Sequence, residues 1–309
     1  MQVTKGVVQM ELRTLEYFLA IAREGSITDA AKALHVTQPT LSRQLAALEQ
    51  EFGRQLYTRS HKGIELTDHG IMLQRYAASI VDLANKAVED MKPTDSEVRG
   101  TVHIGAGETY LMQIVAIAMK NVHEKHPGIT FSLSSGTTAE LKDRLIKGYF
   151  DVMLECEVQD HAKLNMLRFP IPDTWGVLMR QDDPLAHKSV IRAEDLVERD
   201  LITSTQGMKF GKLADWFGDL RDQTHVVAEY RLGLNTRYLV KQGFGVAVIY
   251  QRLVDYHGDA DLCIRPLAPA VESWQGLVWR QTLPNKQTLI FLDEVRRVCK
   301  LVEAGEVVL

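Results

Sequence analysis

The chain has 309 residues, a formal net charge of −4, 45% hydrophobic and 25% charged residues, and three cysteines. That length exceeds one ordinary core, so two or three folded units are expected, with the composition of a soluble globular protein. No run of about 18 apolar residues exists, so no membrane span is expected. Cys156, Cys263 and Cys299 lie far apart with no Cys-x-x-Cys pair, which argues against a zinc site, and their odd count does not suggest a disulfide scaffold.

Residues Met1 to Met10 hold one Lys and no apolar stretch, so no signal peptide is expected and the cytoplasm is the natural home. Met10 offers a second start, which would make residues 1–9 an extension. The acidic balance argues against a generic nucleic-acid coat. It leaves room for a local basic surface, because DNA binding needs positive charge only at the contact.

From residue 11 to 57 the pattern is helix after helix. Leu12, Leu15, Phe18, Leu19 and Ala22 recur at helical spacing, and Gly25 stands where a helix-ending glycine belongs. Ser26 with Asp29 three residues on reads as a capping box for a short helix ending at Leu34, before His35-Val36-Thr37. A third helix starts near Gln38-Pro39, where proline costs little because first-turn amides lack partners. Its buried stripe is Leu41, Leu45, Leu48 and Phe52, and Gly53 ends it. Leu56 to Arg59 and Ile64 to Leu66 read as two short strands about His61-Lys62-Gly63. Thr67 then caps a long helix from about Asp68 to Met91, in which Leu73, Tyr76, Ile80, Leu83 and Ala87 follow a 3, 4, 3, 4 spacing, a coiled-coil-like seam. Pro93 opens a polar linker through Glu97.

Beyond it, strands and helices alternate. Val102–Ala106, Leu111–Lys125, Ile129–Ser134, Thr138–Lys147 and Asp151–Leu154 make a βαβαβ run and hence a mostly parallel sheet. A comparable series begins at Trp175–Arg180 and ends at Gly245–Tyr250, and Gly276–Arg280 with Lys286–Leu301 adds a last strand and helix.

The segment from Gly25 to Gln44 is the most informative. Two helices joined by a three- or four-residue turn form a DNA-reading unit whose second helix enters the major groove. With Leu41, Leu45 and Leu48 facing the core, Pro39, Arg43, Ala46 and Gln50 fall on the outward face and Ser42 at its edge. Arg43 can fork onto guanine or a phosphate, while Gln38 and Thr40 lie at the helix N-terminus, which meets base edges. Between Gln38 and Gly63 the basic residues Arg43, Arg54, Arg59 and Lys62 outnumber Glu49 and Glu51.

At these residues the sequence resembles the LysR-type transcriptional regulators. The resemblance rests on Gly25-Ser-Ile-Thr, Ala30-Ala31, Leu34, Val36-Thr-Gln-Pro-Thr-Leu-Ser-Arg, Leu48-Glu49, Gly53, Arg59, Leu66-Thr67 and Gly70; Tyr57 stands where the family often has phenylalanine. It is specific at the N-terminus and architectural beyond Gly100. It implies a multidomain protein: a winged helix-turn-helix over 10–67, rich in α-helix, a linker and dimerisation helix over 68–93, and an α/β two-lobed, periplasmic-binding-protein-like effector domain over 98–309. Lobe one is placed at 98–169 with 274–309, and lobe two at 172–268. The chain would cross between them near Pro170-Ile171-Pro172 and near Pro269-Ala270. The implied partners are a double-stranded DNA operator, a small-molecule effector and further copies of the chain, as a homodimer or homotetramer. The DNA contacts are expected from Gln38, Pro39, Thr40, Ser42, Arg43 and, in the wing, Arg59.

Open α/β sheets bind ligands at strand carboxyl ends. Those ends offer Glu108 and Thr109, Ser135 and Thr137, and Thr203 and Ser204 as effector contacts, although Thr137 with Glu140 also makes a capping box. Two helix starts near these loops favour an anionic group, whereas Glu108 and Glu155 favour an ammonium. An amino-carboxylate satisfies both.

Signals for an enzyme fail, and no cofactor or metal is expected. Gly105-Ala-Gly107-Glu-Thr-Tyr110 puts a bulky tyrosine where a dinucleotide fingerprint needs its third glycine. His123-Glu-Lys-His126 is one residue short of metalloprotease spacing. No nucleophile elbow or P-loop occurs, and no cysteine pair lies between 200 and 220 for a dithiol switch. The competing reading is a small-molecule receptor or enzyme on the same two lobes.

Overall fold

The computed structural model describes residues 10–60, 63–91, 98–159, 162–209, 211–254 and 261–309, with backbone alone at 59, 60, 89 and 90. The chain divides into two compact units, Met1–Lys92 and Pro93–Leu309.

The first unit contains α1 (Leu12–Glu24), α2 (Ile27–Ala33), α3 (Gln38–Phe52), a hairpin of β1 (Tyr57–Ser60) and β2 (Gly63–Leu66), and α4 (Asp68–Asp90). Leu15, Phe18 and Ile21 of α1 close on Ala30 and Ala31 of α2 and on Leu41, Leu45 and Leu48 of α3. Gly25 ends α1 at φ 63°, and its carbonyl accepts Ile64 N at 2.8 Å, which docks the hairpin onto the α1–α2 turn. At Gly63, with φ +119°, a Cβ would meet that same carbonyl oxygen at 2.6 Å, so no larger residue fits the approach. Thr67 caps α4 by accepting Gly70 N at 3.1 Å. Leu73 departs from the expected seam: with Ala77 it is buried in the core of this unit. Tyr76, Ile80 and Leu83 of the seam are exposed, at 65%, 39% and 40%.

The second unit holds two sheets. The first-lobe strands are β3 (Gly100–Ala106), β4 (Ile129–Ser135) and β5 (Val152–Glu155), with α5 (Met112–Lys125) and α6 (Thr138–Ile146) between them, and then β6 (Leu164–Arg168). The chain next builds the second lobe from β7 (Asp173–Arg180), β8 (Asp200–Ser204), α7 (Lys212–Phe217), β9 (His225–Tyr230), α8 (Thr236–Lys241), β10 (Val246–Tyr250), β11 (Leu262–Pro266) and β12 (Glu272–Ser273). It returns as β13 (Gly276–Arg280) and α9 (Lys286–Glu303). Strand order is β4-β3-β5-β13-β6 in the first sheet and β11-β7-β10-β8-β9 in the second, with β12 on β7. β3 runs parallel to β4 and β5, and β8 parallel to β9 and β10. Because Glu272 and Ser273 still pair with Thr174 and Asp173 in the second sheet, the return crossing falls at Trp274-Gln275, past Pro269-Ala270.

Each lobe has its own core. Val102, Ile104, Leu111 and Ile114 pack with Phe291, Leu292 and Val295 in the first. Val177, Leu201 and Val248 pack with Leu213 and Phe217 in the second.

Candidate DNA-reading face and effector cleft

In the first unit, the helical period of α3 sorts its residues. Leu41, Leu45 and Leu48 are each at most 2% exposed, which turns the remaining faces outward. Gln38, Pro39 and Arg43 are exposed, and Thr40 and Ser42 are half-buried. The turn before α3 passes through His35 at φ 54°, an uncommon left-handed residue that is not glycine. Thr37 gives α3 no side-chain cap; its hydroxyl instead bonds that of Thr40 at 2.8 Å. Arg43 lies along its own helix, donating from Nε to Pro39 O at 3.3 Å, so its guanidinium end is already on the outward side. Thr14 donates to Gln44 Oε1 at 3.3 Å across a shallow groove between α1 and α3, which also takes in Arg13 and Tyr17. Sequence spacing points to neither Arg13 nor Gln44: Arg13 belongs to α1, and Gln44 lies off the outward stripe of α3, where Thr14 of α1 bonds it. The side chain of Arg59 lies outside the described residues.

In the second unit, a cavity of about 500 Å³ opens between the two sheets. Its lining comes from strand ends and the loops beyond them: Gly107 and Glu108 after β3, Gly136, Thr138, Ala139 and Lys142 about the start of α6, and Glu155 at the end of β5 with Cys156 and Glu157 after it. Facing them are Trp175, Ser204, Gln206, Tyr230, Arg231 and Tyr250 of the second lobe. Trp175 and Tyr250 pack as a tilted aromatic pair at 4.3 Å, and Trp175 Nε1 donates to Ser273 Oγ at 3.0 Å. Tyr250 Oη donates to Cys156 O at 3.1 Å, and Tyr230 Oη to Val248 O at 2.8 Å. Burial raises both phenols above their usual range, so they stay neutral donors.

Of the six effector contacts expected from sequence, Glu108 and Ser204 line this cavity. Thr109 is 7% exposed; its hydroxyl accepts Leu111 N at 3.1 Å and sits beside the buried carboxylate of Asp173. Thr137 is occupied as the α6 cap, accepting Glu140 N at 3.4 Å and donating to Glu140 Oε2 at 2.8 Å. Ser135 is exposed outside the lining, and Thr203 is fully buried with an unpartnered hydroxyl. Glu155, only 2% exposed, does line the cavity, together with Glu157. Sequence spacing does not mark the aromatic residues or Arg231, although Tyr230 and Tyr250 end β9 and β10, where the strand-end rule also points.

The cavity floor is close-packed. A Cβ at Gly107 would lie 2.4 Å from Cys156 Sγ. Burial, then the charges of Asp173, Glu155 and Glu108, push the Cys156 thiol up to about 12, so it carries no thiolate near neutral pH. Among the described residues no group of three or more His, Cys, Asp or Glu could hold a metal ion, and no helix is long and apolar enough to cross a membrane.

Comparison with known proteins bears on both units. The bacterial regulatory helix-turn-helix family of lysR proteins matches residues 12–71, and the LysR substrate binding domain family matches residues 95–300. Among curated relatives, the HTH-type transcriptional regulator BsdA of Bacillus subtilis is 27% identical over 255 residues, covering 80% of this chain and 86% of BsdA. The nitrogen assimilation regulatory protein nac of Klebsiella aerogenes is 34% identical over 144 residues, 46% of this chain and 47% of nac. In fold, the chain is similar to full-length CbnR complexed with its target DNA, at TM-score 0.72 and 20% identity, covering 94% of this chain and 100% of CbnR. The two family matches take in both units, and the chain belongs to the LysR family of bacterial transcription regulators, with a DNA-binding helix-turn-helix and a C-terminal substrate-binding effector domain.

Proposed function

We propose that this regulator acts in the cytoplasm without catalysing a reaction, and that an amino-carboxylate bound in the interlobe cavity changes its grip on an operator. The domain reading is 10–67 for the winged helix-turn-helix, 68–93 for the linker helix and 98–309 for the effector domain. The observation that carries the proposal is the lining of the cavity. Glu108, Glu155 and Glu157 supply carboxylates, Arg231 and Lys142 supply cations, and Trp175, Tyr230 and Tyr250 supply aromatic surface. Its volume of about 500 Å³ suits a small metabolite. Carboxylates beside aromatic faces favour an ammonium, and a guanidinium favours a carboxylate.

On the DNA side, Gln38, Pro39, Thr40, Ser42 and Arg43 of α3 enter the major groove, with Arg59 on the phosphate backbone. The exposed row Tyr76, Ile80 and Leu83 on α4 pairs two chains, so that two recognition helices meet two half-sites.

A thermal-shift screen of amino acids and matched dicarboxylates, followed by calorimetry and by anisotropy on DNA from upstream of the gene, tests the effector half. The expected result is an amino acid that raises the melting temperature and alters DNA affinity, because a ligand of the native state stabilises it. Tight dicarboxylate binding that is indifferent to Glu155→Gln rules the amino-carboxylate out. For the assembly, replacing both Ile80 and Leu83 with Asp is expected to lower the mass seen by light scattering. Unchanged mass and half-site cooperativity would reduce the row to packing within one chain.

A further inference from the structure

Beside the Tyr250–Cys156 bond, several contacts tie the second lobe to the first around the cavity, and three of them concern its polar lining. Leu234 N donates to Glu108 Oε2 at 2.9 Å, Thr138 N donates to Gln206 Oε1 at 3.4 Å, and the Arg231 guanidinium pairs with Glu140 Oε1. The last pair is unlike the others, because its two members are held to different degrees. Glu140 is fixed by the α6 capping box: its Oε2 accepts both Thr137 N, at 3.2 Å, and Thr137 Oγ1, at 2.8 Å. Arg231 has a long side chain that is 62% exposed, lines the cavity, and stands on the loop between β9 and α8. Glu140 is not part of the cavity lining. One charged partner is therefore anchored at the rim and the other is able to turn inward.

We propose that Arg231 is the specificity residue for the effector's carboxylate, and that Glu140 holds its guanidinium in the free protein. The proposal rests on the effector reading above. An ion pair exposed at 62% and 52% is weak in water. A ligand carboxylate on the same guanidinium, inside a cleft whose walls exclude water, gains a two-pronged charge-assisted bond. The exchange of one carboxylate for another keeps the arginine paired throughout, so no buried charge is left alone at any point. Lys142, the other cation of the lining, is engaged in an interaction of its own. An amine that lacks a carboxylate cannot displace Glu140, which makes the pair a filter as well as a placeholder.

The test uses the full-length chain with Glu140→Gln, Arg231→Gln and Arg231→Lys. Gln preserves the capping box at position 140, because Glu and Gln serve there alike. Without ligand, hydrogen exchange of the peptides holding Thr138 and Leu234 is expected to quicken about two- to fivefold in Glu140→Gln. Unchanged exchange overturns the placeholder. The binding probes, followed by calorimetry, are L-glutamate, L-lysine and L-phenylalanine, each beside the amine that lacks its α-carboxylate, together with succinate. A carboxylate that binds the parent is expected to bind Glu140→Gln about two- to fivefold tighter and Arg231→Gln about tenfold or more weaker. Arg231→Lys is expected to fall between, and the amines not to distinguish the variants. Equal binding to the parent and to Arg231→Gln overturns the assignment. Succinate bound most tightly, and lost in Arg231→Gln, keeps the role of Arg231 while removing the ammonium from the effector reading. If none of the probes binds any of the proteins, the exchange result decides.

Discussion

The outward face of α3 and the interlobe cavity are both polar surfaces carried on an apolar core, but their side chains are kept in opposite ways. On α3, Gln38, Pro39 and Arg43 are exposed, and Arg43 is steadied by a carbonyl one turn back. In the cavity, Glu108, Gln206, Arg231 and Tyr250 each already bond to the facing lobe. A partner meeting α3 adds contacts to groups that water now solvates. A ligand entering the cavity must exchange contacts that the protein makes with itself. The first arrangement suits a long polyanion recognised by addition, and the second suits a small molecule whose arrival alters how two lobes are tied.

The largest expected effect tests whether the cavity really depends on packing that α3 does not share. Trp175→Ala removes a 6% exposed side chain, its stack on Tyr250 and its bond to Ser273. A loss of about 3–5 kcal/mol is expected for the second unit. Scanning calorimetry of the full chain should show the effector unit melting earlier, while DNA affinity measured well below that transition is kept. An equal loss of DNA affinity at low temperature breaks the comparison, because the two surfaces would then share one stability.

The next effect lies on α3. Arg43→Ala should weaken binding to a specific operator by about 1–3 kcal/mol if its guanidinium reads a base, and leave binding to scrambled DNA closer to the parent. Anisotropy titrations on both DNAs, with helicity checked by circular dichroism, give the answer. Equal loss on both would make Arg43 a phosphate contact, and no loss on either would remove it from the interface.

The same contrast explains which residues could be found from the sequence. On α3 one periodicity decides most of the helix: once Leu41, Leu45 and Leu48 are known to face inward, the exposure of Pro39 and Arg43 follows, although Phe52, which the same spacing assigns to the buried stripe, is 37% exposed at the helix end. The βαβ order of the first lobe was legible for the same reason, since strand and helix periods are local. The cavity is built from loops far apart in sequence, and local rules there supplied competing uses for each hydroxyl. Thr137 fits a capping box, and capping occupied it; Thr109 turned toward Asp173, a neighbour 64 positions on that no local pattern could supply. Arg231 and Tyr250 carry no local signal, because each gains its meaning from a partner in the other lobe. Leu73 fitted the α4 seam by spacing, yet the core of the first unit was nearer.

The smallest effect sharpens the comparison through acid sensitivity. In the second unit Glu294 of α9 accepts from Arg297 Nη2 at 2.5 Å, from Asn121 Nδ2 at 2.8 Å and from Lys125 Nζ at 3.3 Å, joining α9 to α5. Its hydrogen bonds to Arg297, ahead of the opposing effect of burial, bring its carboxyl from 4.5 down to about 2. A folded value below the unfolded one means that the ionised group stabilises the fold at every pH above about 4.5, and that this contribution fades as pH falls toward about 2. The carboxyl of Asp29 in the first unit is also lowered, by Lys32 and Ser26, but it is exposed and water screens its pairing. Urea unfolding of the parent, Glu294→Gln and Asp29→Asn at pH 7, 5, 4 and 3 separates the two cases. Glu294→Gln should cost about 1–2 kcal/mol at neutral pH, one charge-assisted bond or slightly more, and the gap should narrow between pH 5 and pH 3. Asp29→Asn should follow the parent at all four. A gap for Glu294→Gln that stays constant with pH would mean that shape, not charge, ties α9 to α5.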